Sequence, residues 1–139
     1  VDIVVGGAGT GGTLAGIAGA LLAPRPGLRV FLVEPAEGAV LSGDEPAPHG
    51  VQGIGPGFHP SVLDMTLMAG VITVSEREAI AAARNCARLE GLPIGISSGA
   101  ALHAGMALAR AEENAGKRIV AIAPSFAERY LSTGLFAGL

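Results

Sequence analysis

Apolar stretches at residues 1–5, 29–34, 71–74, 92–96 and 118–123 alternate with helical patterns at 13–22, 76–90 and 100–114. Strands separated by helices need crossover connections, and crossovers lay helices on the faces of a sheet whose strands run parallel. The alternation predicts an α/β fold: a mostly parallel open sheet with helices on both faces, three layers deep. A chain of 139 residues is one domain's worth, and no internal repeat or linker-like run divides it, so residues 1–139 read as a single segment. Half the residues are hydrophobic but only 4% are aromatic, so Ala, Val, Leu and Ile must fill the core.

Local signals sharpen this reading. Leu14, Ile17, Ala18, Leu21 and Leu22 recur at helical spacing, and Pro24 and Pro26 stop the run. Ser75 and Glu78 have the spacing of a capping box ahead of the helix 76–90, and Gly91 follows as its C-terminal stop. The stretch Leu92 to Ile96 reads as a strand running into a hydroxyl-bearing turn, Ser97-Ser98-Gly99. Between residues 35 and 61 the chain is rich in proline and glycine and has little periodicity, which points to a functional loop. In an open parallel sheet, ligands sit beyond the carboxyl ends of the strands. The turns at 6–13, 97–99 and 124–126 are therefore expected to face one crevice.

The first of these turns carries the strongest chemical signal. Val1 to Val5 leads into Gly6-Gly7-Ala8-Gly9-Thr10-Gly11-Gly12-Thr13 and then directly into a helix. The first turn of a helix has backbone N–H groups without intrahelical acceptors, at the positive end of the macrodipole, so an anion is stabilised there. Glycines let the backbone approach closely, and Thr10 and Thr13 bring hydroxyl donors. A phosphate at the helix N-terminus is the expectation. Gly7, Gly9 and Gly12 also match the G-x-G-x-x-G dinucleotide fingerprint, with Glu34 at the end of the next strand where a ribose-binding acid belongs. A nucleotide site, another phosphate site and a purely structural turn all remain open on these residues alone.

Composition narrows the partners. A net charge of −3 and a pI near 5.5, with scattered cationic residues, leave no electrostatic footprint for nucleic acid. No apolar run approaches the roughly 20 residues needed to span a bilayer, so no membrane partner and a cytoplasmic location are expected. Cys86 is the single cysteine, which excludes an internal disulfide and a thiolate cluster. His49, His59 and His103 lack ligand spacing, so no metal site is expected.

Several strings taken together resemble the C-terminal part of cysteine synthase, the O-acetylserine sulfhydrylase group of fold-type II pyridoxal-phosphate enzymes. They are GTGGTLAGIA at 9–18, VEP at 33–35, VLSG at 40–43, PHGVQGIGPGF at 48–58, GISSGAA at 95–101 and PSFAERYLST at 124–133. The resemblance implies a tryptophan synthase β-like fold with pyridoxal 5′-phosphate as cofactor. It assigns the cofactor's phosphate to Gly9, Thr10, Gly11, Gly12 and Thr13, which makes Glu34 an ordinary strand-end residue. Ser97 matches the serine set against the pyridine nitrogen, and Gly53 matches a backbone position near the substrate. Read on their own, Ser97 also fits the cap of the helix after it and Gly53 a simple turn glycine.

A neutral hydroxyl does not hold the pyridine nitrogen protonated as an aspartate would, so the ring is a weaker electron sink. The implied reaction is β-elimination of acetate from O-acetylserine followed by addition of sulfide to give cysteine. Cystathionine β-synthase is the nearest relative by activity, and a non-catalytic nucleotide- or phosphate-binding module is the alternative of another class. The family also implies a homodimer and engagement of the C-terminal peptide of serine acetyltransferase.

Some positions depart from the family pattern. Ala127 stands where glycine is common, Gly50 where lysine or arginine is usual, and His59 where an apolar or aromatic residue is usual. The family's Schiff-base lysine and substrate-carboxylate loop lie in its N-terminal half, and neither is found here. Lys117, the only lysine, reads as a solvated turn residue. No catalytic residue is therefore assigned, and the isolated chain is expected to be inactive. Its opening inside a strand and its apolar last residues, 135–139, suggest a segment of a longer polypeptide.

Overall fold

The computed structural model describes residues 1–138. Four strands, β1 (Ile3–Gly7), β2 (Arg29–Pro35), β3 (Gly70–Val74) and β4 (Ile119–Ala121), form one sheet in the order β3-β2-β1-β4. Every pairing is parallel, with Ile3 opposite Arg29 on one side and opposite Ile119 on the other. The three long helices are α1 (Gly12–Leu21), α2 (Glu76–Glu90) and α3 (Ile96–Arg110).

The pleat of the strands explains the layers. Successive side chains point to opposite faces. Ile3, Val5 and Val33 pack with Ala79 and Ala83 of α2 and Ala100 and Ala104 of α3. Val4, Val30 and Leu32 face the other way, onto Leu14 and Ala18 of α1. The expected three-layer α/β architecture is the one observed, and small side chains on α2 and α3 make up much of one layer. Each fully buried Val or Leu contributes about 1.5–3 kcal/mol relative to exposure.

The start of α2 follows the sequence closely. Ser75 N–H donates to Glu78 Oε2 at 3.0 Å, and Glu78 N–H donates back to Ser75 Oγ at 3.3 Å, completing the capping box. The Ser75 hydroxyl, at 2.6 Å, is the main reason the Glu78 carboxyl lies below its ordinary pKa.

The segment 92–96 is a correction. It forms no strand, only an isolated antiparallel bridge between Ile94 and Phe126. Pro93 has no N–H to offer a neighbour, and the N–H of Ile94 turns back to the carbonyl of Leu92 at 2.9 Å. The chain then enters α3 at Ile96, so Ser97, Ser98 and Gly99 form the first helical turn instead of preceding it. The helix correspondingly ends at Arg110, and residues 112–114 form a separate short 3-10 turn.

The long connection from β2 to β3 contains only two short 3-10 turns, yet it is anchored to the core by Val51 and Ile54. Among the described residues, no helix is long and apolar enough to cross a membrane, and no group of three or more His, Cys, Asp or Glu is placed to hold a metal ion.

Candidate functional site

The turn between β1 and α1 is held from two sides. Ala8 N–H donates to the carbonyl of Val33 at 2.8 Å, and Gly55 N–H donates to the carbonyl of Ala8 at 2.9 Å. Gly11, at the N-cap of α1, has φ +88, the left-handed region that glycine adopts at no steric cost. It brings no side-chain cap, and the backbone N–H groups from Gly9 through Leu14 donate to no acceptor among the described residues. Thr10 and Thr13 are exposed, and their hydroxyls have no partner among the described residues.

This row of amides opens into a cavity of about 280 Å³. Gly9, Thr10, Gly11, Gly12, Thr13, Gly53 and Ser97, the seven positions singled out by sequence, all line it. Its walls carry no Asp, Glu, Lys, Arg or His, so the polar groups facing it are helix-end amides, hydroxyls and the carboxamide of Gln52. Such a lining favours an anion and has no carboxylate to repel one.

Opposite the amides lies the first turn of α3. Ser97 is only 5% exposed, lines the cavity, and its hydroxyl has no partner among the described residues. That oxygen is reached from the cavity, so it is free to meet a polar atom of a ligand. The neighbouring Ser98 is used differently: its Oγ donates to the carbonyl of Ser125 at 3.1 Å and accepts from Ser125 N–H at 3.3 Å.

Gly53 sits at φ +93 in the turn on the third side. His49 Nε2 is 2.9 Å from the carbonyl of Gly55, which only accepts, so that nitrogen carries the proton and pins the turn.

Ser125 lies in the 124–126 turn expected at the crevice and does line the cavity. Sequence reasoning missed Gln52 and Tyr130 as lining residues; the available signals were the turn that also holds Gly53 and the sole tyrosine of an aromatic-poor chain.

Two further residues are placed elsewhere. Glu34 is 2% exposed, and its carboxylate accepts from Leu41 N–H at 2.8 Å and from the Ser42 hydroxyl at 2.7 Å. Both oxygens are engaged in holding the 40–42 turn, so the ribose-binding role of the dinucleotide fingerprint has no free group to perform it. Lys117 is exposed ahead of β4, whereas the cavity lies past the other end of that strand, at Ile122 and Pro124.

Residues 1–125 match the family described as pyridoxal-phosphate dependent enzyme. The chain belongs to this family. A cysteine synthase of Buchnera aphidicola is 44% identical to it over 147 residues, which covers 100% of this chain and 47% of that relative. Among solved structures, a cysteine synthase from Entamoeba histolytica has 45% identity and a TM-score of 0.96, over 98% of this chain and 40% of that one. An O-acetylserine dependent cystathionine β-synthase from Helicobacter pylori has 40% identity and a TM-score of 0.88, over 98% of this chain and 44% of that one. The chain thus spans less than half the length of these relatives.

Proposed function

We propose that this chain is the phosphate-binding part of a pyridoxal-phosphate-dependent cysteine synthase, which converts O-acetylserine and sulfide into cysteine and acetate. The observation that carries the reading is the cavity itself: unpartnered amides from Gly9 to Leu14 on one wall and the unpartnered hydroxyl of Ser97 on another. A phosphorylated pyridine has an anion for the first and a ring nitrogen for the second. The family and its cysteine synthase relatives support the choice of cofactor and reaction.

Bound here, pyridoxal phosphate supplies an electron sink for breaking bonds at the substrate's α and β carbons. The amides of Gly9 through Leu14 hold the phosphate, and the hydroxyls of Thr10 and Thr13 add donors. Ser97 Oγ meets the ring nitrogen as a neutral partner. With no carboxylate in the lining, no side chain holds a proton on that nitrogen, which moderates the sink and favours β-replacement over transamination. Gly53, at the mouth of the cavity, keeps the substrate side open because it has no side chain. No lysine or other amine lines the cavity, so an amine for bonding to the cofactor would have to come from outside these residues. The isolated chain is inactive on this reading. The active protein is a cytoplasmic homodimer and takes the C-terminal peptide of serine acetyltransferase at the mouth of its site.

The Helicobacter pylori neighbour favours a second reading, in which homocysteine or a related thiol replaces sulfide. The deciding experiment assays the native polypeptide that carries these residues, with O-acetylserine and either sulfide or homocysteine. Cysteine as the faster product is expected. Faster cystathionine formation would exchange the two readings, and a polypeptide that makes neither product and binds no pyridoxal phosphate would overturn both.

A further inference from the structure

Ser97 is set on a helix end that lacks a side-chain cap, since Gly95 is the N-cap of α3. What fixes that end is the segment 125–130. Gly95 N–H donates to the carbonyl of Ser125 at 2.8 Å, and Ser98 grips the same residue through both of its backbone groups. Ser125 Oγ and Tyr130 OH are 3.0 Å apart, and Tyr130 is only 6% exposed. The packing is close: a Cβ built on Gly95 would stand 2.4 Å from both Ser125 Oγ and Tyr130 Cε2. All the polar groups of Ser125 are therefore spent on the first turn of α3 or on Tyr130, and both Ser125 and Tyr130 also line the cavity.

We propose that the hydrogen-bond chain Ser98–Ser125–Tyr130 is a positioning device for Ser97, setting where its hydroxyl meets the ring nitrogen of a pyridine ligand. This rests on the role given to Ser97 above. Tyr130 braces Ser125 from behind, Ser125 holds the N-terminus of α3 through Gly95 and Ser98, and Ser97 lies between those two residues in sequence. A hydroxyl in a first helical turn moves as that turn moves. Loss of either brace displaces it relative to the phosphate amides, which belong to a different helix.

The test uses two probes that need no lysine: inorganic phosphate and pyridoxine 5′-phosphate, which has the phosphate and the pyridine ring but no aldehyde. Both are titrated calorimetrically into the native polypeptide carrying these residues, and the ring absorbance of the second is followed. Ser97→Ala is expected to weaken pyridoxine 5′-phosphate about fivefold, the size of one hydrogen bond, and to remove the shift in ring absorbance. Tyr130→Phe and Ser98→Ala are expected to weaken it about threefold and to reduce that shift, with inorganic phosphate binding unchanged. Ser125→Ala, which keeps the backbone bonds and removes only the partner of Tyr130, is expected to match Tyr130→Phe.

The inference is overturned if Ser97→Ala changes ring binding while the other variants behave as wild type. It is also overturned if they weaken both probes alike, which is the mark of general loosening. An unchanged Ser97→Ala would instead remove the role of Ser97 at the ring, a failure of the earlier reading.

Discussion

The carbonyl oxygen of Gly53 stands against Gly9 so closely that a Cβ added to Gly9 would lie 2.6 Å from it. The turn that carries the amides and the turn that borders the substrate side are thus in backbone contact, and neither yields by rotating a side chain. Gly9→Ala is expected to destabilise the fold by about 1–3 kcal/mol and to lower affinity for inorganic phosphate at least about tenfold, because the amide row must shift. Urea unfolding and calorimetry check the two parts. Gly16→Ala is the contrast: it is exposed in α1 with no atom within 4 Å of a new Cβ. It is expected to stabilise by about 0.5–1 kcal/mol.

Glu34→Gln is expected to cost about 1–2 kcal/mol, since the bonds from Leu41 N–H and the Ser42 hydroxyl lose their charged acceptor and the Ser42 hydroxyl must turn to accept from the new amide. Affinity for NAD, absent in the parent on this reading, stays absent in the variant. Nucleotide binding by the parent that Glu34→Gln abolishes would return the acid to the ribose role.

Ser75→Ala is expected to cost about 1 kcal/mol near neutral pH by removing the N-cap of α2. The Ser75 hydroxyl, followed by its N–H, holds the Glu78 carboxyl below its ordinary pKa in the folded chain. The resulting stability is present above the unfolded carboxyl pKa and disappears as pH falls through the lower folded value. The gap between parent and variant should therefore narrow in acid. Urea midpoints measured from neutral pH downward test this, and a gap that widens would contradict it.

Lys117 is expected to remain unmodified when the native polypeptide is mixed with pyridoxal phosphate at stoichiometric concentration and reduced with borohydride. Its amine is exposed on the side of the sheet away from the amide row. Peptide mapping that finds the pyridoxyl group on Lys117 would oppose the assignment.

The layers of the fold were legible because β1 and β2 alternate cleanly between two helical faces, and the α2 boundaries because Ser75, Glu78 and Gly91 are local signals. The amide row was legible for the same reason: it is made by consecutive residues. The start of α3 was not. Leu92 to Ile96 has strand-like residues, but Pro93 and the hydrogen bond from Gly95 to Ser125 divert it, and that bond joins residues far apart in sequence. Tyr130 was hidden likewise, since its place at the cavity depends on how the 127–130 turn folds back onto Gly95. Glu34 shows the converse case, in which a residue at the fingerprint spacing is occupied by a turn that no fingerprint describes.

β1 lies between β2 and β4, so Ile3 is paired with Ile119, and Asp2 accepts from the N–H of Arg118 at 2.7 Å. The cavity inherits this span, since one wall comes from Gly6 to Leu14 and another from Ile122 to Tyr130. Closing so long a loop is entropically slow to be rewarded, and any molecule seated between the walls acts as a clasp on these two distant segments. At a concentration one hundred times its dissociation constant, such a clasp adds about 2.7 kcal/mol to the folded state. Occupancy of the site is thus also a vote for completing the sheet, and a chain deprived of its occupant should fray first along the seam between β1 and β4.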